Sequence, residues 1–592
     1  MILNIIVVIF VLGVGYAWMI RGMFNALIHL LCAVVAGAIA FAFWEILALK
    51  LIELSPERGF FSFIEGIAWG VALIIPFVVV FLLLRTLTDK LIPHNIRNSS
   101  VIDYIGGGIC GLATGILCGG MLVLGIQTMR LPTDFLGYQP LAYSEDRAKG
   151  DGSLVRTDTL WIPVDRLTAM TYEMLSLGTM STDEPLAKWY PEIELVGMAS
   201  RVSPGNGSGR NVLAPDDFKI KSTYFVGNPQ DTSSITDLLV DAREDRPQKY
   251  IDIDSQSISK GYLAGYVVEF QPGAKERGKK GGQLVVSNGQ FRLLIEDNHG
   301  NTKTVFPIAT ISESSKPDQY GRWRFDSKDV FITSVGAKSR IPMAFEFVIP
   351  QGYSPVAFYA KNIRVLTDTL PDPIEYTTPS QRDELVRSGA ILTGESSAKR
   401  KLITTNTLTY DPTGQPSLIT RSTKLLKMMS TQIARRGFTL NEKNEIVDGE
   451  GEWLITEVGR KNAPTGKNLR VERYTVDRGQ VLIKVKVGPD SEIGLLSEAS
   501  RDAPLDQPLL LIDEHGNEYE AVGFEYTDAE TFHARLTRGS TLTGIQDTPS
   551  MSRSRDDQDL IILFVVTKGI NISHYTIGDV AIAEFIPPLD AE

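Results

Sequence analysis

Two residue types that often carry out acid–base or nucleophilic chemistry are scarce after residue 130, since that part of the chain has four histidines and no cysteine. The histidines in that part of the chain are His299, His515, His533 and His574. A serine hydrolase would need a nucleophile presented on a sharp turn, and no GDSGG-like or G-x-S-x-G motif occurs. The KKGG run that begins at Lys279 lacks the Lys-Ser/Thr ending of a phosphate-binding loop. We therefore predict that the protein is not an enzyme, and we assign it no catalytic or cofactor-binding residues.

Acidic side chains lie beside two of these histidines. The stretch EDNH covers residues 296–299, and DEH covers residues 513–515. Carboxylate oxygens are the ligands that calcium prefers, so a calcium site is one interpretation. Both stretches continue into Gly-Asn, however, and turns that face water are often acidic. We predict that these histidines are turn residues and that no metal is bound.

Glycines recur at every fourth position in one apolar segment. Gly107, Gly111, Gly115 and Gly119 lie in the run GGGICGLATGILCGG. This spacing places them on one face of a helix, and such a face lets a second helix approach closely in lipid. We predict that the row is a helix-packing face. A pore or substrate path lined by bare backbone is the alternative.

That segment is one of four apolar windows long enough to cross a bilayer. They are Met1–Ile20, Met23–Leu49, Gly66–Leu84 and Tyr104–Met129. The first has no basic n-region and no small-residue cleavage site, which predicts a retained helix rather than a signal peptide. All three cysteines fall in these windows, which excludes a disulfide framework from the rest of the chain. Residues 1–130 are predicted to form a four-span α-helical membrane bundle.

The distribution of Lys and Arg predicts the orientation of this bundle, because basic loops stay in the cytoplasm. One side of the bundle receives Arg21, Arg85, Lys90 and Arg97, and the other receives Lys50, Arg58 and Arg130. With four spans, both ends of the bundle sequence lie on the same side. The small excess of basic residues predicts that everything after the bundle is extracytoplasmic.

The order of residues in this region resembles the colicin V production (CvpA) family. The resemblance covers residues 1–130 and rests on Gly13, Gly15, Arg21, Gly22, Phe24 and Asp103, followed by the first three glycines of the row. The family is associated with toxin production and export and with envelope integrity, and some members carry an extracytoplasmic serine protease after the same helices. The resemblance implies a bacterial inner (cytoplasmic) membrane protein with its large C-terminal region outside the cytoplasm. Arg21, Gly22 and Asp103 are its family-motif positions.

Residues 131–200 are predicted to form a membrane-proximal helical segment. Helical spacing relates Leu160, Val164, Leu167, Thr168, Thr171 and Leu175. The polar face of this helix has no Lys/Arg cluster, so we expect it to pack on the bundle or a partner chain rather than lie on the lipid surface. Residues 201–249 begin with a stretch rich in Gly, Ser, Asn, Pro and Asp and are predicted to be a linker.

The sequence contains an internal repeat. LLIEDNHGN from Leu293 matches LLIDEHGN from Leu510. AFEFVIPQGYSPVAFYAKNIRV from Ala344 matches IILFVVTKGINISHYTIGDVAI from Ile561. Apolar and polar residues alternate in both copies, which is typical of strands in an antiparallel sandwich.

The repeat and its surroundings predict a mostly β soluble region. Two immunoglobulin-like sandwich domains are expected, at residues 250–370 and 452–592. The connector 371–451 is predicted to contain short helices near Gln381–Gly389 and Thr423–Arg436.

The charge balance excludes one class of partner. Of the 59 Lys/Arg and 70 Asp/Glu residues, 52 and 64 lie after residue 130, giving that part a net charge of −12. Such a surplus argues against nucleic-acid binding. We predict a non-enzymatic envelope protein, held in the lipid bilayer, whose tandem β domains bind a protein or a cell-wall component. The alternatives are an oligomeric channel or transporter accessory subunit gated by the soluble region, with the chain as a homo-oligomer, and an unrecognised hydrolase.

Overall fold

A bundle of long apolar helices is followed by a region built mostly of β-strands. The structure is a computed structural model that describes residues 2–56, 60–92, 99–132, 134–143, 154–157, 160–201, 209–228, 240–241, 244–247, 250–276, 282–314, 319–325, 330–333, 337–393, 401–414, 418–504, 506–552 and 554–592. Arg58, Arg97 and Lys279, which were considered above, lie outside the described residues.

The bundle consists of α1 (Ile2–Arg21), α2 (Met23–Leu54), α3 (Ile64–Leu91) and α4 (Ser100–Gln127). Each is long and apolar enough to cross a membrane, since about 20 residues cover the roughly 30 Å hydrocarbon core. The prediction of four long apolar helices is confirmed. α2 and α4 each contact all three of the other helices and so form the middle of the bundle.

The helix ends separate into a near end, which contacts the β-rich region, and a far end. At the near end the Leu3 amide donates to the Leu136 carbonyl at 3.2 Å, and the Arg130 amide donates to the Gly66 carbonyl at 2.6 Å. The far end holds the turn between α1 and α2. Gly22 has a φ of 93° there, a conformation that glycine adopts without strain, so the chain reverses between two long helices at a single residue.

Short elements connect the bundle to the β-rich region. They are β1 (Leu141–Tyr143), β2 (Leu154–Arg156), α5 (Val164–Leu177), α6 (Leu186–Trp189) and α7 (Ile193–Ala199). α5 covers most of the stretch whose periodicity predicts a helix. β1 and β2 pair as a small antiparallel ribbon.

The first β unit, residues 218–393, is a sandwich of two sheets. Its elements are β3 (Phe218–Val226), β4 (Val240–Asp241), β5 (Glu244–Pro247), β6 (Tyr250–Ile251), β7 (Ser257–Ile258), β8 (Gly261–Phe270), β9 (Leu284–Ser287), β10 (Phe291–Asp297), β11 (Thr302–Val305), β12 (Pro307–Glu313), β13 (Tyr320–Arg324), β14 (Val330–Thr333), β15 (Ile341–Pro350), β16 (Tyr353–Ala360), β17 (Ile363–Leu366), β18 (Ile374–Tyr376), α8 (Pro379–Ser388) and α9 (Ala390–Thr393). One sheet has the order β13-β12-β15-β8-β3-β18, and the other has β11-β10-β16-β17.

Aromatic side chains fill the space between these two sheets. Tyr266 of β8 stacks on Phe358 of β16 at 5.2 Å, and Phe291 of β10 stacks on Phe345 of β15 at 3.9 Å. The same apolar core continues into the bundle, where it includes Trp44. The bundle and the first β unit therefore share one core.

The second β unit, residues 403–592, is built around one large sheet. Its elements are β19 (Leu408–Tyr410), β20 (Ile419–Arg421), β21 (Lys424–Ser430), α10 (Thr431–Ala434), β22 (Phe438–Leu440), β23 (Ile446–Leu454), β24 (Arg470–Arg473), β25 (Gln480–Lys486), β26 (Leu509–Asp513), β27 (Glu518–Thr527), β28 (Thr531–Leu536), β29 (Asp559–Thr567), β30 (Asn571–Ile577) and β31 (Val580–Asp590). Ser339 of the first unit joins the two units, since its amide donates to the Glu518 carbonyl of β27 at 2.9 Å and its hydroxyl accepts from the Glu520 amide at 2.6 Å.

Strands that carry the repeated sequence have the same neighbours in both units. In the first unit β8, β15, β12 and β13 lie side by side in that order, as do β25, β29, β27 and β28 in the second. Likewise β11, β10, β16 and β17 correspond to β27, β26, β30 and β31. The single strand β27 takes the places of both β11 and β12.

The structure corrects the linker prediction for part of residues 201–249. β3 lies inside the six-stranded sheet, between β8 and β18. Phe218, Tyr224 and Val226 of this strand are buried. β3 has only a short alternation of apolar and polar residues. Averaging the composition over residues 201–249 hides this alternation, because the residues before β3 are rich in Gly and Ser.

The structure also corrects the prediction for the connector 371–451. α8 matches the first expected helix, but residues 423–436 form β21 followed by the single turn α10 rather than one helix. Met429 of β21 is fully buried opposite Val471 of β24. Pairing with β24 outweighs the helix propensity of the Leu, Lys and Met residues in this strand. β19, β20, β22 and β23 also come from the connector and belong to the second β unit.

A buried carboxylate attaches α8 to the outer face of the first β unit. Glu346 of β15 accepts from Arg322 and from Arg382 of α8, each at 2.6 Å, and from the Tyr224 hydroxyl at 2.9 Å. Burial alone would raise the pKa of Glu346, but the two guanidinium groups hold it at about 2. This carboxylate therefore stays ionised at any ordinary pH.

We expect Glu346→Gln to remove a pH-dependent part of the stability. The folded pKa is depressed below the unfolded value of about 4.3, so the carboxylate stabilises the fold above that pH, and the contribution is lost as pH falls toward 2. At neutral pH the variant should lose about 3–5 kcal/mol, because two guanidinium groups lose their charged partner. Denaturant titrations between pH 6 and 2 measure this, with Glu375→Gln at an exposed site of β18 as the control. Parallel stability curves for wild type and Glu346→Gln would contradict the assignment.

Candidate functional site at the membrane boundary

The family-motif positions lie together at the far end of the bundle. Gly22 begins α2, and Asp103 is in the first turn of α4, one turn before Gly107. A Cβ added at Gly107 would lie 3.2 Å from the Gly22 carbonyl carbon, so these two backbones touch. The Arg21 guanidinium carbon is 5.1 Å from the centre of the Trp18 ring. The family-motif positions therefore lie at the end of the bundle that is farthest from the β-rich region.

The glycine row of α4 faces α1 of the same chain. Added Cβ atoms would lie 2.7 Å from the Trp18 carbonyl oxygen at Gly107, 3.0 Å from the Gly15 Cα at Gly111, 3.1 Å from the Val11 Cα at Gly115, and 3.4 Å from the Phe10 ring at Gly119. The first three positions leave no room for a side chain. The row is therefore covered within one chain.

α5 packs across the side of the bundle. The Tyr172 hydroxyl donates to the Ala33 carbonyl of α2 at 3.0 Å, and the Thr168 hydroxyl donates to the Ile116 carbonyl of α4 at 3.2 Å. Glycines make room for both side chains, since a Cβ at Gly37 would overlap the Tyr172 hydroxyl. α5 therefore contacts the bundle, which is one of the locations that its sequence led us to expect.

A buried ion pair joins α3 to Arg210, in the segment that leads into the first β unit. Arg210 Nε donates to Glu65 Oε1 at 2.6 Å, and the two side chains are 2% and 7% exposed. The Arg210 backbone amide donates to Glu276 at 2.9 Å, and its guanidinium lies 3.6 Å from Asp217. Burial by itself would lower the pKa of Arg210, but the carboxylates of Glu65 and Asp217 hold it above its usual range. The arginine therefore remains charged inside the junction.

A second arginine caps the near end of α4. The Arg201 guanidinium donates to the carbonyls of Ile126 and Pro132, both at 2.8 Å, and to that of Met129 at 3.2 Å. Carbonyls at a helix C-terminus have no partner within the helix, so a cation there satisfies them and interacts favourably with the helix dipole. The chain leaving the bundle is thereby fixed in position.

Next to this junction lies a cavity of about 500 Å³ between α2 and α5. Its wall on α2 includes Ala38, Phe41 and Leu49, and α5 contributes Leu175. Trp189 and Tyr190 form the wall nearest the β-rich region. The volume falls in the range of about 300–1,000 Å³ that is usual for ligand sites.

Charged side chains line the rim of this cavity. Arg364, on β17, lies 2.7 Å from a Glu184 oxygen and 3.5 Å from a Glu45 oxygen. Its guanidinium carbon is 4.6 Å above the Trp189 ring. Asp183 adds a third carboxylate to the rim. The cavity therefore has an apolar interior and a rim with more acidic than basic side chains.

The histidine-containing turns have the same construction in both β units. Asp297 Oδ1 accepts from the amides of His299 and Asn301 at 2.8 and 2.9 Å, and Asp513 Oδ1 accepts from those of His515 and Asn517 at 3.0 and 2.8 Å. Hydrogen bonds from Asn301 hold the pKa of Asp297 below its usual value. These carboxylates are used to shape the turn. Among the described residues no group of three or more His, Cys, Asp or Glu is arranged to hold a metal ion.

The other two histidines after residue 130 lie apart from each other on the second β unit. His533 Nε2 is 3.0 Å from Glu450, and His574 Nδ1 is 2.9 Å from the neighbouring Ser573 hydroxyl. That hydroxyl lies 3.1 Å from the carbonyl oxygens of Ile512 and Asp513, to which it donates. Ser573 therefore makes a contact between strands.

The sequence patterns did not identify the junction or the cavity rim. Glu65 stands beside an apolar window, and an acidic residue in such a place is a signal for a buried partner. Arg210 lies in a polar segment and Arg364 near the end of a repeated strand motif. Neither pattern marks the arginine itself, and the two residues meet α3 and α2 only in the folded chain.

The architecture is that of a multi-pass membrane protein with a β-rich region attached at one end of its bundle. No family model, curated protein or solved structure matches the chain. The resemblance to the CvpA family in residues 1–130 therefore stays a prediction.

We expect Gly111→Leu to destabilise the protein, because its side chain must displace the α1 backbone at Gly15. Overpacking of this kind typically costs about 1–3 kcal/mol. Gly13→Leu is the matched control, since a Cβ there meets nothing within 4 Å. Thermal unfolding in detergent compares the two variants. Equal melting temperatures would show that the glycine row is not a packing face.

Proposed function

We propose that the protein is a non-enzymatic, multi-pass protein of a bacterial inner membrane that presents its β-rich region outside the cytoplasm, where the β units bind a protein or a cell-wall component. The observation that carries this proposal is the small excess of basic residues at the far end of the bundle. Arg21, Arg85 and Lys90 lie there, against Lys50 and Arg130 at the near end, which is also where the β-rich region is attached. The positive-inside rule assigns the far end to the cytoplasm. The CvpA-like order of residues 1–130 supports the same orientation and links the protein to toxin export or envelope integrity.

We also infer that the two β units are copies of one sandwich domain of immunoglobulin-like type. The shared strand neighbours and the matching Asp297 and Asp513 turns support a common origin. Tandem copies offer two related surfaces in a fixed arrangement. Two such surfaces suit a binding role, since linked sites raise the overall affinity for a repetitive partner.

The alternative is an oligomeric channel or transporter accessory subunit. In the sequence, the glycine row offers a helix face on which a second chain could pack or along which a substrate path could run. Because that row packs on α1 of the same chain, the anchor function needs fewer assumptions. A stable oligomer found by native mass spectrometry in mild detergent would favour the alternative.

Reporter fusions test the proposed orientation. A reporter active only outside the cytoplasm should be active when fused after Glu592 and inactive when inserted after Lys90, at the far end. A cytoplasm-only reporter should give the opposite pattern at both sites. Activity of the cytoplasm-only reporter after Glu592 would overturn the proposal.

A further inference from the structure

α5 lies at membrane depth. Its contacts on α4, Ile116 and Gly120, are 11 and 7 residues before the helix end at Gln127. At about 1.5 Å per residue they are roughly 16 and 10 Å inside that end, within a hydrocarbon core about 30 Å thick. Its contact on α2, Ala33, is likewise near the middle of that helix. With 14 residues α5 is too short to cross the bilayer, so it enters and returns on one side.

The face of α5 that points away from the bundle is exposed and, apart from Arg166 near the start of the helix, apolar. It carries Leu167, Met170, Met174 and Leu177, with Met174 70% exposed. Their spacing of three and four residues places them in one stripe along the helix. At this depth acyl chains are the surroundings that such a stripe fits. The apolar interior of the cavity lies between α5 and α2. Ile46 of α2 lines the cavity and is 65% exposed, so the cavity opens onto the apolar outer surface of α2.

The rim defines the head group that fits. Glu45 and Glu184 pair with the guanidinium of Arg364, and Asp183 adds a third carboxylate to the cavity lining. The excess of acidic groups disfavours a purely anionic head group and favours one that carries an ammonium. The guanidinium offers a partner for a phosphate.

We propose that the cavity between α2 and α5 binds an acyl chain of a zwitterionic bilayer phospholipid, whose head group lies at the rim formed by Glu45, Arg364 and Glu184. This site is independent of the binding role assigned to the β units. It places one lipid at the junction that fixes the β-rich region to the bundle.

Photolabelling of the full-length protein tests the proposal. The protein is reconstituted in phosphatidylglycerol vesicles, so that the bulk lipid does not compete for the site, with a small fraction of phosphatidylethanolamine that carries a diazirine near the end of one acyl chain. Digestion and mass spectrometry then locate the adducts. We expect at least fivefold more label on residues 38–49 and 172–176 than around Leu82 and Leu83, which are exposed on α3. Equal labelling of the two regions would overturn the site.

A cavity-filling variant provides the second readout. Ala38→Trp should lower labelling of the cavity wall at least fivefold, whereas Ala17→Trp, at an exposed position of α1, should leave it unchanged. The wild-type enrichment does not depend on either variant, so misfolding of Ala38→Trp would leave that test intact. Undiminished labelling in a folded Ala38→Trp would contradict the proposal.

Two further probes test the head group. A phosphatidylglycerol probe with the same diazirine should label the cavity wall several-fold less than the phosphatidylethanolamine probe. Equal or stronger labelling by the anionic probe would overturn the head-group assignment. Labelling by a diazirine fatty acid alone, with neither phospholipid reacting, would contradict the phospholipid as the occupant.

Discussion

Glu65 and Arg210 meet where the bundle joins the first β unit, and the position of the β-rich region depends on their pairing. Both side chains are almost fully removed from solvent. Separating a buried pair typically costs about 3–5 kcal/mol, because each charge would remain in a medium that solvates it poorly. That is a large part of the roughly 5–15 kcal/mol by which a domain is stable. A rotation of the β-rich region relative to the bundle that breaks this pair therefore has a substantial free-energy cost.

Other contacts at the junction act in the same direction. Arg201 satisfies the carbonyls at the end of α4, and the apolar core runs without a break from Trp44 into the first β unit. α5 adds a lateral support through Tyr172, whose hydroxyl reaches the α2 backbone. α5 lies against the bundle while α2 continues past it to Glu45 and beyond, and a cavity lies between the two helices beside the junction. Tyr190 and Arg364 line this cavity, so its wall includes residues next to the β-rich region.

The sequence was most informative where a periodic pattern is long. Runs of about 20 apolar residues identify helices that can cross a bilayer because no other arrangement satisfies the backbone there. The repeated motifs around Leu293 and Leu510 also proved to lie on strands with equivalent neighbours. Short elements were less predictable. β3 is obscured by the residues that precede it, and β21 has helix-forming residues that are held in a strand by β24.

The junction and the cavity rim could not be predicted for a different reason. Arg210 pairs with a residue 145 positions earlier in the chain, and Arg364 lies far from Glu45 in sequence. An arginine in a polar segment reads as a solvent-exposed charge, and only the tertiary fold brings it to a carboxylate. The glycine row illustrates an intermediate case. Its spacing predicts a packing face, but the partner, α1 of the same chain, follows from the structure alone.

The most direct test of the central claim is the distance distribution between a spin label at Leu87, on α3, and one at Ser354, on β16. Labels are introduced through cysteine in a background whose three native cysteines are replaced by alanine. A rigid junction predicts a single narrow distribution in vesicles, which broadens in Glu65→Gln. It should stay narrow in Glu53→Gln, because the exposed Lys50–Glu53 pair is worth only about 0–1 kcal/mol. A broad distribution in the protein without these substitutions, or one unaltered by Glu65→Gln, would contradict the account.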